Sequence, residues 1–234
     1  MNDVAIKVPL AEHFHSLQGE GRWTGLPMHF LRLPGCTVGK PAHSIFLAES
    51  QIPILPTGAR AKACAAFDGK SFFCDTDYAK HEEATIAELM SETWEYDVCF
   101  TGGEPLMHEK QLWYKQLYNA FRSQARIHIE TSGTIEPQLD YDWITVSPKK
   151  GWLPEVIGMA NQVKFLIDKD TDFGQITRVL RYTRQPHCLI FFSPIFDPNE
   201  FVKENFDHCM TILREFKSFR PQVTVQMHKF LGLR

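Results

Sequence analysis

Strand-like apolar runs that alternate with helical segments constrain the fold of this chain more than any other feature. Seven runs rich in β-branched and aromatic residues predict strands at Met28–Leu33, Val98–Phe100, Ile127–Ile129, Trp143–Val146, Val163–Ile167, Leu189–Phe192 and Val223–Val225. Helical patterns lie between several of them, at Thr85–Glu92, Glu109–Arg122, Phe173–Tyr182 and Glu200–Phe216. The first helix opens with a Thr85…Glu88 capping box.

This order of elements predicts a parallel sheet in an α/β protein. The gaps after Glu130 and Ser147 are too short for full crossover helices, so a complete eight-fold barrel does not fit. We therefore predict an incomplete, TIM-like (β/α) barrel with parallel strands and reduced helices. Its active site is expected at the carboxyl ends of the strands.

The chain is expected to form a single domain over residues 1–234, because 44% apolar content can supply a substantial core. An insertion over residues 37–73 carries the turn residues Pro41, Pro53, Pro56, Gly58 and Gly69. A loop of that length inside a domain is usually functional or disordered. We predict an ordered flap over a metal site, with residues 51–56 as its apolar anchor.

Charge and hydropathy exclude several classes of partner. The net charge is -3 and the pI is about 6.4. The chain therefore lacks the excess of basic residues that would indicate binding to nucleic acid or to a membrane surface. The first residues lack the apolar run of a signal peptide, and no apolar stretch approaches ~18 residues. We predict a cytoplasmic protein with a small-molecule substrate, whose six cysteines are metal ligands or core residues rather than disulfides.

Three cysteines, Cys36, Cys64 and Cys74, precede a Gly-Gly-Glu-Pro turn at residues 102–105. Three thiolates on a [4Fe–4S] cluster leave one iron open to a small molecule. In this respect the chain resembles radical S-adenosylmethionine enzymes, and the predicted barrel would be of their type. The other cysteines, Cys99, Cys188 and Cys209, lie in apolar strands or a helix and are predicted to be buried core residues.

Further motifs make the resemblance more specific. They are His15-Ser16-Leu17-Gln18-Gly19-Glu20-Gly21, Phe30-Leu31-Arg32-Leu33-Pro34-Gly35-Cys36, Cys74-Asp75-Thr76, Thr101-Gly102-Gly103-Glu104-Pro105, Glu130-Thr131-Ser132-Gly133-Thr134, Ser147-Pro148-Lys149 and Gln226-Met227-His228-Lys229. In this order they resemble the 7-carboxy-7-deazaguanine synthase family along nearly the whole chain. The resemblance implies ring contraction of 6-carboxy-5,6,7,8-tetrahydropterin to 7-carboxy-7-deazaguanine with loss of ammonia, in the queuosine and deazapurine pathway. It implies a [4Fe–4S] cluster, S-adenosylmethionine and Mg²⁺ as cofactors.

The cluster motif departs from the family pattern. The usual Cys-x3-Cys-x2-Cys spacing would place cysteines at Lys40 and Ser71, and neither residue is a suitable ligand. Cys64 is the other cysteine in the interval, which gives Cys36-x27-Cys64-x9-Cys74. Loop-closure entropy grows slowly with length, so the long interval does not prevent the thiolates from converging. The alternative is that Cys64 is an ordinary loop cysteine and the cluster is lost.

The resemblance also assigns cofactor residues. Phe73 would pack against the adenine, although plain core packing is an open alternative. The Glu104 carboxylate can accept from the methionine ammonium group. The remaining positions expected along the cofactor are Gly103, Ser132, Ser147, Pro148 and Lys149.

Substrate contacts follow from the same resemblance and from the chemistry of a planar carboxylated ring. Gln18, Glu20 and Glu130 would bind its polar edge, and Arg32 its carboxylate. The expected set is completed by Leu17, Gly19, Thr101 and His228, with Thr76 as a Mg²⁺ ligand. The alternatives are turn capping by Gln18 and Glu20, a surface charge at Arg32 and a tail residue at His228.

Two other functions stay open at this stage. One is a radical S-adenosylmethionine enzyme with another substrate, which a substrate assay would separate. The other is a non-catalytic metal-binding module, in which zinc takes the three cysteines and a fourth ligand such as His43. The resemblance implies a homodimer and a one-electron donor such as flavodoxin. The sequence does not identify the downstream product, whether a transfer-RNA base or modified DNA.

Overall fold

Eight strands form the central sheet of a computed structural model, which describes residues 6–39, 52–55, 58–74, 76–77, 81–94, 97–184, 186–196 and 201–232, without the side chains of 228 and 229. The strands are β1 Lys7–Leu10, β2 Glu12–Leu17, β3 Pro27–Leu33, β4 Lys62–Ala65, β5 Ser71–Cys74, β6 Glu82–Thr85, β7 Asp97–Gly102, β8 Arg126–Thr131, β9 Trp143–Val146, β10 Gln162–Ile167, β11 Leu189–Pro194 and β12 Gln222–Val223. The helices are α1 Ile86–Glu92, α2 Leu112–Arg122, α3 Pro154–Met159, α4 Phe173–Leu180, α5 Lys203–Glu215 and α6 Met227–Leu231.

The central sheet has the order β12-β11-β10-β9-β8-β7-β3-β2. All neighbouring strands are parallel except β2, which pairs antiparallel with β3 at one edge. All seven predicted strands are therefore confirmed, with the last one shifted to Gln222–Val223. The loop after β2 joins the far side of the sheet, where the Gly21 amide donates to Thr224 Oγ1 at 2.8 Å and the Arg22 amide donates to Gln162 Oε1 at 3.1 Å. The result is the predicted incomplete α/β barrel.

The helices are reduced, as predicted. No helix lies between β8 and β9, and the β9–β10 connection contains only the six-residue α3. The capping box is confirmed, since the Glu88 amide donates to Thr85 Oγ1 and the Thr85 amide donates to Glu88 Oε2. Helix α2 begins at Leu112 rather than Glu109, after a 3-10 turn at Pro105–His108. In the described part of the chain, no helix is long and apolar enough to cross a membrane.

Side chains alternate between the two faces of the parallel strands. Outward-facing residues such as Phe100, Ile129 and Phe165 are buried against the helices in the main core. Each such side chain contributes roughly 1.5–3 kcal/mol by leaving water. The inward-facing residues Thr101 and Glu130 line a cavity at the carboxyl ends of the strands. The barrel interior at this end is therefore polar.

The insertion contains a structured hairpin that the sequence analysis treated only as a loop. Strands β4 and β5 pair antiparallel, and the Lys150 amide donates to the Ala65 carbonyl at 3.1 Å. Ile52 and Leu55, from the predicted apolar anchor, are buried together with Ala61 and pack against Phe73. The hairpin is thus fixed to the barrel beside the end of β9. Five further elements were not predicted from the sequence: β1, β2, β6, α3 and α6.

His29 is a fully buried imidazole on β3. Its Nδ1 lies 2.5 Å from Thr93 Oγ1, and that hydroxyl donates to the Leu89 carbonyl, so Nδ1 carries the proton and donates. Its Nε2 lies 3.4 Å from His13 Nδ1, and His15 stacks on the ring. Burial, with the neighbouring His15 and His13, lowers the pKa of His29 to about 3. His29 is therefore neutral in the folded protein.

We expect acid to destabilise the fold through His29. Below pH ~6.5 the unfolded chain binds a proton at this position while the folded chain does not, so stability is lost as the pH falls. Between pH 7 and pH 5 the free energy of unfolding should fall by about 2 kcal/mol more in the wild type than in His29→Gln. Urea unfolding at the two pH values measures this difference, and equal pH dependence in both proteins would contradict it.

Candidate active site

One cavity lies at the carboxyl end of the barrel, between the strand ends and the inserted hairpin. It collects most of the residues that the sequence analysis assigned to a site. Those that line it are Leu17, Gln18, Gly19, Glu20, Arg32, Cys36, Cys64, Phe73, Cys74, Thr76, Thr101, Gly103, Glu130, Ser132, Ser147 and Lys149. Pro148 is buried beside the cavity, and the side chain of His228 lies outside the described residues.

The three predicted cluster cysteines line this cavity. In the hairpin Cys64 lies opposite Phe72, and Lys62 lies opposite Cys74. Residues that pair across two strands lie on the same face of a hairpin, and so do residues two positions apart on one strand. Cys64 therefore shares a face with Phe72 and with Cys74, and the two cysteines are diagonal neighbours. The long interval between Cys36 and Cys74 thus contains a structured element that brings Cys64 back to the site.

Lys149 provides a second indication that the thiols converge. Burial lowers the pKa of its ammonium, while Cys64, Cys74 and Cys36 each act in the opposite direction. All three sulfurs therefore lie within electrostatic reach of one cation. The Lys149 Nζ donates to Ser147 Oγ at 2.7 Å and lies 5.5 Å from the Phe72 ring centroid.

The remaining cysteines are buried core residues, as predicted. Cys99, Cys188 and Cys209 are at most 2% exposed. Burial raises the pKa of Cys188 and Cys209 to about 12 and that of Cys99 well above its usual value. None of these three cysteines lines the cavity that Cys36, Cys64 and Cys74 share.

Three cysteine thiols are donors of the kind that hold an iron–sulfur cluster. Among the described residues, no group of three or more His, Cys, Asp or Glu side chains is arranged to hold a metal ion. A four-iron cluster takes each thiolate on a different iron, so its ligands need not meet at one point. The fourth ligand of the zinc alternative, His43, lies outside the described residues.

The glycine turn after β7 packs against the loop that carries Cys36. The Gly103 amide donates to the Leu33 carbonyl at 3.2 Å, and the Glu104 amide donates to the Gly35 carbonyl at 3.0 Å. A Cβ on Gly103 would lie 1.6 Å from the Gly35 oxygen. Only glycine fits there, which fixes the position of Cys36 relative to β7.

Glu104 was predicted to accept from an ammonium group of the cofactor, and this role stays a prediction. Its side chain is fully buried and hydrogen-bonded within the protein. Its carboxylate accepts from Thr131 Oγ1 at 2.8 Å, from the Ser132 amide at 2.9 Å and from the Ser132 hydroxyl. Burial raises the pKa of Glu104, and these donors oppose that shift. The carboxylate therefore holds the end of β8, where Ser132 lines the cavity.

Glu130 and Gln18 form one hydrogen-bonded unit in the cavity. Glu130 accepts from Gln18 Nε2 at 3.1 Å and from Thr101 Oγ1 at 3.2 Å. Gln18 Oε1 also accepts from the Glu20 amide at 3.1 Å, which is the turn-capping role considered as an alternative. Gln18 thus stabilises its turn and orients Glu130 with the same side chain.

Arg32 lines the cavity and is not an isolated surface charge. Its Nη1 donates to Glu12 Oε1 at 2.5 Å, and its guanidinium carbon lies 5.1 Å from the Phe14 ring centroid. Such contacts restrict a long side chain to one orientation. Phe73 lines the cavity and also packs on the apolar anchor, and its contact with the adenine stays a prediction.

Lys164 and Ser193 are site residues that the sequence analysis missed. Lys164 lines the cavity, and its Nζ donates to Glu20 Oε2 at 2.7 Å. Ser193 Oγ donates to Glu20 Oε1 at 3.0 Å. The available signal was a lone lysine inside the apolar run 163–167, because lysine is almost never buried without a partner.

The partial α/β barrel, with three thiols and a glycine turn around one cavity at its carboxyl end, defines a radical S-adenosylmethionine enzyme. The class takes a [4Fe–4S] cluster and S-adenosylmethionine as cofactors, and the three-thiol donor set fits that cluster. Comparison with known proteins specifies the family within this class.

The 7-carboxy-7-deazaguanine synthase of Synechocystis sp. strain PCC 6803 is 30% identical over 240 residues, covering 99% of this chain and 96% of the relative. That of Bordetella pertussis is 31% identical over 241 residues, covering 95% and 97%. The crystal structure of QueE from Escherichia coli matches with a TM-score of 0.64, 25% identity and 95% coverage of each chain. No protein-family model matches the chain. The chain belongs to the 7-carboxy-7-deazaguanine synthase family.

Proposed function

We propose that this protein converts 6-carboxy-5,6,7,8-tetrahydropterin to 7-carboxy-7-deazaguanine with release of ammonia, in deazapurine biosynthesis. The observation that carries the proposal is the single cavity in which three thiols face two carboxylates, Glu20 and Glu130, and the guanidinium of Arg32. Full-length similarity to named 7-carboxy-7-deazaguanine synthases supports the same activity.

The cofactor side of the cavity is formed by Cys36, Cys64 and Cys74, which would hold the cluster. When bound, the cluster and S-adenosylmethionine supply the radical that starts the ring contraction. Gly103, Ser132 and the segment 147–149 line or border the space beside the thiols. These groups would hold S-adenosylmethionine next to the cluster.

The substrate side of the cavity is formed by residues that complement a pterin. The carboxylates of Glu20 and Glu130 can accept from ring and amino N–H groups, and Arg32 can bind the pterin carboxylate through its planar fork. Leu17, Gly19 and Thr101 line the same space. These groups orient the ring and exclude water from it.

The test is an anaerobic assay of the reconstituted protein with carboxytetrahydropterin, S-adenosylmethionine and dithionite. We expect 7-carboxy-7-deazaguanine and one equivalent of ammonia for each substrate consumed. Release of 5′-deoxyadenosine without this product would instead indicate a radical enzyme with another substrate. Absence of iron and sulfide after reconstitution would indicate the non-catalytic alternative.

We also propose Thr76 as a Mg²⁺ ligand. It lines the cavity two residues after Cys74 and is 8% exposed, and a hydroxyl oxygen suits a hard cation. Mg²⁺ there would lie beside the substrate carboxylate.

Thr76→Val keeps the shape of the side chain and removes the oxygen. We expect the cluster to form normally and the Mg²⁺ concentration for half-maximal turnover to rise at least about tenfold. Thr211→Val, on the exposed face of α5, is the control and should leave the Mg²⁺ response unchanged. Identical Mg²⁺ titrations in the wild type and Thr76→Val would exclude the metal-ligand role.

The assembly and electron supply are part of the same proposal. We propose a cytoplasmic homodimer that receives single electrons from a small redox protein such as flavodoxin. Light scattering of the purified protein tests the dimer, and turnover with reduced flavodoxin in place of dithionite tests the donor.

A further inference from the structure

A buried polar cluster of Glu20, Lys164 and Ser193 joins the loop after β2 to strands β10 and β11. The side chains of Glu20 and Lys164 are each 10% exposed, and their charged atoms lie 2.7 Å apart. Ser193 is fully buried and donates to the second carboxylate oxygen at 3.0 Å. Glu20 and Lys164 both line the cavity.

Closure of the barrel does not by itself explain a buried ion pair at this position. Three other hydrogen bonds already join the loop to the far side of the sheet, from the amides of Gly21, Arg22 and Met227. Burying two charges carries a desolvation cost, and apolar residues of similar size often give equal or greater stability. A buried pair that faces a cavity therefore points to a role in the cavity.

The geometry points to Lys164 as a positioning residue for substrate recognition, an inference that rests on the proposed function. Lys164 donates to one carboxylate oxygen of Glu20 and Ser193 donates to the other. A carboxylate can accept at about four lone-pair positions, and the Glu20 side chain lines the cavity where the substrate would bind. Glu20 is thereby oriented to accept the paired N–H groups of the aminopyrimidine edge of the pterin.

The two carboxylates of the cavity, Glu130 and Glu20, differ in the charge of their hydrogen-bond donors. Glu130 accepts from two neutral donors, Gln18 and Thr101, whereas the donors to Glu20 include the ammonium of Lys164. The ammonium compensates the buried negative charge of Glu20 before the substrate arrives. A carboxylate that is already compensated and oriented binds neutral N–H groups without further rearrangement.

The test compares Lys164→Met and Lys164→Arg in the cluster-loaded enzyme. Loss of the ammonium leaves Glu20 without its buried partner, so we expect Lys164→Met to raise KM for carboxytetrahydropterin about 10- to 100-fold. We expect kcat to change much less and S-adenosylmethionine affinity to stay normal. Lys164→Arg should recover part of the loss. Lys203→Met removes an exposed lysine from its ion pair with Asp207 on α5 and should have no effect.

A double-mutant cycle with Glu20→Gln tests whether Lys164 acts through Glu20. The two effects on KM should combine to much less than their product, because both remove the same interaction. If the wild type turns over the substrate and Lys164→Met has an unchanged KM, the role of Lys164 is wrong but the proposed function stands. If the wild type does not turn over the substrate, the proposed function itself is wrong. If Lys164→Met does not fold, unchanged KM in Glu20→Gln overturns the inference equally.

Discussion

Replacing Cys64 with alanine should prevent [4Fe–4S] loading and lower turnover at least about a hundredfold, since loss of a ligand costs more than loss of a second-sphere contact. In the sequence, 27 residues separate Cys64 from Cys36, yet β4 and β5 place Cys64 on the same hairpin face as Cys74. The variant removes one sulfur from a set of three around one cavity. Iron and sulfide content after anaerobic reconstitution, with the visible absorption of the cluster, measures the result.

The control for this prediction is Cys99→Ala. Cys99 is fully buried on β7 among Met28 and Phe30 and does not line the cavity. Its replacement removes a small apolar group, so we expect slightly lower stability with full iron content and turnover. If Cys64→Ala retained the iron and activity that Cys99→Ala retains, Cys64 would be an ordinary hairpin residue and the cluster would require another ligand.

The sheet was predictable because its strands are buried on their outer faces. Runs such as residues 127–129 and 163–167 carry apolar residues at the positions that pack on helices, which is a strong local signal. Strands β1 and β6 were missed because neither is a continuous apolar run: β1 begins with Lys7, and β6 contains Glu82 and Glu83. Such short strands are specified by their pairing with each other rather than by local pattern.

The sequence contains a turn signal for the hairpin of the insertion. Asp68-Gly69 lies between two apolar runs, and this pair is a strong indicator of a β-turn. Gly69 has a φ of +88°, and the Lys70 amide donates to Asp68 Oδ1 at 3.1 Å. Recognising this turn would have predicted that Cys64 and Cys74 lie on facing strands.

The hydrogen-bond partners of Glu104 within the protein were not predictable from its motif. Thr131 and Ser132, at the end of the neighbouring strand, supply three donors to its carboxylate. Which partner a carboxylate takes depends on the register of β7 and β8, and the sequence of one turn does not contain that information. The contacts of Lys164 and Ser193 with Glu20 likewise depend on which strands and loops meet in the folded barrel.

Gly103→Ala should disrupt the site even though it adds one methyl group. The new Cβ would lie 1.6 Å from the Gly35 oxygen, 2.6 Å from the Gly35 carbonyl carbon and 3.0 Å from Cys36 Cβ. The first two contacts are with backbone, which cannot rotate away as a side chain does. The turn must move, so we expect a loss of about 3 kcal/mol or more in the free energy of unfolding, at the upper end of the range for overpacking.

The displacement should also separate Cys36 from the other thiols, because the turn after β7 positions the loop that carries it. We therefore expect Gly103→Ala to lose cluster content together with stability. Gly158→Ala is the matched control: it lies in α3, its nearest neighbour would be the Tyr182 oxygen at 3.6 Å, and alanine favours a helix by about 0.5–1 kcal/mol. Thermal unfolding and iron content of both variants measure these effects. Wild-type values in Gly103→Ala would mean that the contact between the two turns does not set the position of Cys36.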